Sequence, residues 1–204
     1  MSSLLEVKVM FVATGIVLSI IGCQSVETKD SAQFVQDVPY FKSLDSDNYL
    51  VETVEPERYL GLWYEYATVP AGAQANCTAT TAEYSLIDEE TIEVYNRCRL
   101  NDVDGQLSEI KGTARPTDDN YNHLRVNFFG NFEADYYIVS LDGGAEIQDT
   151  AYQWAVVSSF QDRILWVLTR SPNLSDEDYT IILDDLEGRD FDLSSLEKTP
   201  HKGQ

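Results

Sequence analysis

The segment Tyr59-Leu60-Gly61-Leu62-Trp63-Tyr64-Glu65 constrains this chain more than any other stretch. A glycine stands two residues before a tryptophan, at the head of a strand-like run. Glycine adopts backbone angles closed to other residues, so the chain can turn in sharply there. A tryptophan just beyond such a turn can plug one end of a β-barrel with a large apolar surface. A barrel plugged at one end encloses a cavity, and a chain of this kind is expected to hold something apolar.

From Tyr59 onward, short strand-like runs are separated by turn residues, the pattern of an all-β barrel or sandwich. Eight strands are expected, over 61–69, 78–87, 91–100, 107–114, 123–129, 135–141, 153–159 and 164–169. In the third run Ile92, Val94 and Cys98 share one parity, against Glu93, Arg97 and Arg99 on the other. Asp88-Glu89-Glu90 is a tight link, so the strands on either side should pair as a hairpin. One helix follows the strands. Ser175 is a good N-cap, with Asp178 in a capping-box position. Asp176 and Glu177 suit the positive end of the helix dipole. Tyr179, Ile182, Leu183 and Leu186 form an apolar stripe at helical spacing, and Gly188 can end the helix. The expectation is an eight-stranded antiparallel up-and-down barrel with one C-terminal amphipathic helix packed outside, an architecture that holds a single small ligand.

The charge balance excludes some partners. Among 204 residues, 14 Lys+Arg face 35 Asp+Glu, for a net charge of −21. Nucleic acid needs clustered basic residues, and adsorption to an anionic membrane by charge needs the same. The acidity reads as a solubility or salt-adapted surface. Catalysis finds little support. The two histidines, His123 and His201, are far apart in sequence, no metal-ligand cluster appears, and no Gly-x-Ser-x-Gly elbow is present. No cofactor or metal is expected. An acid/base role for carboxylates stays open.

Residues 1–22 read as an export signal. Positions 7–21 are mostly apolar, yet too short for a span of roughly 20 residues. Gly22-Cys23 then resembles the lipobox of bacterial lipoproteins, in which the Cys thiol takes a diacylglyceryl group and the peptide is cut before it. An ordinary signal peptide and an uncleaved anchor are the competing readings. Gln24 after Cys23, rather than Asp, implies export to the outer membrane, facing the periplasm. Residues 23–54 read as a tether and 55–204 as the barrel domain with its helix and tail; the competing reading packs an N-terminal element on the domain. In an exported chain the remaining even pair, Cys77 and Cys98, reads as a disulfide.

Three ordered blocks resemble the lipocalin family, and within it the bacterial outer-membrane lipoprotein branch related to apolipoprotein D. The first is Gly61-Leu62-Trp63 with its flanks. The second is Asn127-Phe128-Phe129-Gly130 followed by Asp135-Tyr136-Tyr137. The third is Leu165-Trp166-Val167-Leu168-Thr169-Arg170. The resemblance covers residues 55–200. It implies that Trp63 closes the barrel with Arg170 packed across its ring, a structural pair. It also implies a non-enzymatic carrier of amphipathic lipids, fatty acids or lysophospholipids, held near a membrane through acylated Cys23. A carrier of a pigment or another hydrophobic molecule is the alternative, and an enzyme on the same fold is a further one. Strand parity would turn Glu65 and Ala67 inward with Trp63, and Tyr64 and Tyr66 outward. An inward Glu65 would have a raised pKa and could bond a ligand head group. A position near water, or a bulge that flips parity, competes with that reading. Phe128, Trp154 and Trp166 are candidate lining residues, with ordinary core packing as the competing role.

Overall fold

The computed structural model describes residues 49–69, 74, 76–130, 132–142, 151–159 and 164–203. The expected signal and Cys23 lie outside the described residues, as does the tether before Tyr49. The strands are β1 Gly61–Thr68, β2 Cys77–Leu86, β3 Ile92–Leu100, β4 Leu107–Pro116, β5 His123–Phe129, β6 Phe132–Leu141, β7 Trp154–Ser159 and β8 Ile164–Thr169. Each pairs antiparallel with the next, and β1 pairs with both β8 and β2, which closes the sheet into an up-and-down barrel. The Ile87 amide bonds to the Thr91 carbonyl at 2.8 Å, closing the β2–β3 hairpin across its acidic link.

Side chains alternate between two apolar clusters. Trp63, Tyr84, Val94, Val126, Val157 and Leu168 face the barrel interior. Val139, Val156 and Val167 point outward and pack with Ile182 and Leu186 of the helix. That helix, here α2 (Asp176–Gly188), begins where Ser175 Oγ accepts from the Asp178 amide at 3.0 Å. Its stripe buries Ile182 and Leu186 completely, and Ser140 of β6 donates to Asp185 on its flank. The disulfide Cys77–Cys98 joins β2 to β3 with 5.4 Å between Cα atoms. By loop closure alone, a bridge of this span stabilises by about 3 kcal/mol.

Three features depart from the periodic pattern. A four-residue helix, α1 (Pro56–Tyr59), precedes β1 with Pro56 opening its first turn, where a missing amide hydrogen costs nothing. The register of β1 against β8 shifts between Glu65 and Ala67. This bulge puts Tyr66 and Ala67 on the same outer side, so Ala67 joins the outer cluster rather than the interior. Finally, residues 49–54 pack on the barrel instead of serving as tether. Tyr49 meets Tyr137 edge-on and stacks on Phe191, Val54 is buried in the inner cluster, and the Val51 amide bonds to the Ile138 carbonyl at 3.1 Å.

The C-terminal tail completes the wall. β1 pairs with β2 only over Gly61–Tyr64. Beyond that the strands part, and a two-residue strand, β9 (Glu197–Lys198), pairs with Ala67 and Thr68. The Thr199 amide bonds to the Tyr66 carbonyl at 2.9 Å, and the Ala79 amide to the Pro200 carbonyl at 2.7 Å. The tail therefore bridges the gap with main-chain hydrogen bonds that β1 and β2 cannot make to each other.

Candidate functional site

The closed end is built around Trp63. Gly61 adopts φ +97° at the head of β1, a left-handed conformation that side chains disfavour. That turn delivers Trp63 into the barrel, fully buried, with its indole Nε1 donating to the Tyr59 carbonyl at 2.7 Å. The Arg170 guanidinium lies 3.7 Å from the indole centroid. Its nitrogens also donate to the carbonyls of Arg58, Tyr59, Leu60, Leu62 and Tyr152 at 2.8–3.0 Å. One side chain thus satisfies the carbonyls of α1 and the chain leading into β1, and staples them over the indole.

Above this plug lies a cavity of about 470 Å³. Val94, Val126, Phe128, Val157, Trp166 and Leu168 are among its apolar walls. Tyr84 and Tyr136 give it a phenolic floor, backed by Tyr59. The Tyr136 hydroxyl lies 2.8 Å from that of Tyr59 and 2.8 Å from that of Tyr84. Burial pushes the Tyr84 phenol up to about 12 and those of Tyr59 and Tyr136 well above their ordinary value, so all three stay neutral. At the other end the β5–β6 turn carries Phe129 and Phe132, both cavity-lining and yet 68% and 61% exposed. These rings mark an apolar mouth.

Of the sequence candidates, Glu65, Phe128 and Trp166 line the cavity. Glu65 is only 5% exposed. Burial raises its carboxyl to about 7, partly offset by the hydroxyls of Thr199 and Thr80. Thr199 Oγ1 donates to its Oε1 at 2.6 Å, and His201 Nε2 bonds its carbonyl oxygen at 2.8 Å. Phe128 fits because β4 carries Gly112 beside it: a Cβ there would come within 2.5 Å of the ring.

Trp154 corrects its expectation. In β7 the inward residues are Ala155 and Val157, whereas Trp154 shares the parity of Val156 and packs on the outer cluster. His123 also points away from the interior, bonding Asp135 at 2.8 Å and lying against the Tyr137 ring. Among the described residues no histidine lines the cavity and no group of residues could hold a metal ion.

Sequence reasoning passed over Thr80, Asn96 and Thr199. Asn96 carried a signal: it shares the inward parity of Val94 and Cys98, so a polar amide was due inside an apolar wall. Thr199 carried none, because only the parting of β1 and β2 brings the tail to Glu65.

Comparison with known proteins agrees with this architecture. A family model described as a lipocalin-like domain matches residues 54–201. The outer membrane lipoprotein Blc of Escherichia coli K12 is 32% identical over 151 residues, covering 72% of this chain and 79% of that protein. Mouse apolipoprotein D is 30% identical over 154 residues, covering 72% and 77%. The crystal structure of insecticyanin from the tobacco hornworm superposes with a TM-score of 0.61 at 17% identity, covering 78% of this chain and 86% of that one, a likeness of fold.

Proposed function

The chain belongs to the lipocalin-like domain family, and from that premise we propose that its calyx carries amphipathic lipids, fatty acids or lysophospholipids, for storage, transport or envelope maintenance. The cavity carries this reading: a space of about 470 Å³, floored by neutral phenols, walled by apolar side chains and open at an aromatic mouth. Each methylene moved from water into such a site contributes about 0.8 kcal/mol, so ten contribute roughly 8 kcal/mol before the costs of immobilisation. A polar head stays at the mouth, where water remains available. Binding rather than catalysis is the activity proposed.

The anchor belongs to the same proposal. Acylation of Cys23 would hold the barrel at the periplasmic face of the outer membrane and raise the effective concentration of membrane-derived ligand. The apolar run before Gly22-Cys23 supports this, as does the likeness to a relative named an outer membrane lipoprotein. Two experiments test the reading. Displacement of a fluorescent fatty acid by oleate and lysophosphatidylcholine should report binding; no uptake of the fluorescent probe would refute the carrier function. Cys23→Ser should move the protein from the membrane to the soluble fraction; an unchanged distribution would refute the anchor.

A further inference from the structure

The apolar lining of the calyx is broken along one wall. Glu65 on β1, Thr80 on β2 and Asn96 on β3 all line the cavity from adjacent strands. Tyr64 stands opposite Thr81 and Ala82 opposite Asn96, next to these positions, and the Thr80 hydroxyl reaches the Glu65 carboxyl where the strands begin to part. Among the described residues, Asn96 Oδ1 is buried without a hydrogen-bond partner, and the Thr80 hydroxyl has only the Glu65 carboxyl beside it to bond. Tyr84 and Tyr136 add two more polar atoms to the lining, their hydroxyls 2.8 Å apart.

A saturated chain filling this space would seal the polar wall from water and leave Asn96 Oδ1 unpaired, which opposes binding. A carboxylate head lodged there would accept but not donate, and would meet Glu65 in its charged form. A hydroxyl does both. It can donate to the Glu65 carboxyl, and a half-turn of the Asn96 amide about its last torsion presents it with either the oxygen or the nitrogen.

We propose that the calyx selects lipids carrying an uncharged hydroxyl within the apolar body, paired at the Glu65–Thr80–Asn96 wall, over plain saturated acyl chains. This rests on the reading of the cavity as a lipid site and narrows it.

Affinities of the purified full-length chain for methyl stearate and its 2-, 10- and 12-hydroxy forms test the proposal, since the four probes share length and charge. At least one hydroxylated form should bind about tenfold more tightly than methyl stearate. In Asn96→Leu that advantage should fall to twofold or less, and Thr80→Val gives a second reading should Asn96→Leu fail to fold. If methyl stearate binds and every hydroxylated form binds equally or more weakly, the proposal is overturned while the lipid reading stands. If none of the four binds, both fall. An advantage undiminished in both variants would refute the wall as its source.

Discussion

Thr199 donates to Glu65 at 2.6 Å across 134 residues of chain, joining the C-terminal tail to a carboxyl inside the barrel. The contact exists because β1 and β2 part above Tyr64 and the tail fills the breach. It fixes the orientation of a buried acid whose neutral form the surroundings favour.

That acid makes stability depend on pH. Burial raises the folded-state value of Glu65 from 4.5 to about 7. Between those values the folded chain holds a proton that the unfolded chain has released, so stability falls as pH rises through the window. At about 1.4 kcal/mol per unit the loss is roughly 3 kcal/mol by pH 8. The net charge of −21 adds its own self-repulsion, and Glu65→Gln separates the two. The variant should match wild type in urea stability at pH 4.5 and exceed it at pH 8. Parallel curves across this range would show that Glu65 titrates normally.

Arg170 should matter for stability and not for affinity. Arg170→Met removes the donors to five carbonyls and the cation over Trp63, and should cost at least about 3 kcal/mol. Arg170→Lys keeps the charge but loses the planar fork, and should fall between. Thermal denaturation of the three proteins checks the order, and lipid titration at low temperature should show little change. A variant with wild-type melting would remove Arg170 from the closure of the barrel.

The tryptophans of β7 and β8 should report opposite sides of the wall. Trp166 lines the cavity and Trp154 packs on the outer cluster. A brominated fatty acid should therefore quench Trp154→Phe strongly and Trp166→Phe weakly, the remaining Trp63 being common to both. Equal quenching would place the ligand outside the calyx.

Local pattern carried much of the architecture. Gly61 and Trp63 stand two residues apart, Ser175 caps its own helix, and all eight strands fall on the runs that turn residues separate, with β6 opening three residues earlier at Phe132. What escaped had physical reasons. β7 is buried on both faces, by the cavity within and the helix without, so both parities are apolar and alternation cannot say which side Trp154 takes. The bulge that turns Ala67 outward adds a residue without a sequence mark. α1 is four residues long, too short for any period to show. The tail is polar and reads as loop, and its place in the wall follows from pairing with β1, more than a hundred residues away.

Native mass spectrometry of the full-length chain, expressed in a bacterial host and purified without denaturant, tests the central claim most directly. The account predicts one lipid-sized adduct per chain, released into chloroform and restored when oleate or lysophosphatidylcholine is added. The bare polypeptide mass before and after that addition would contradict it.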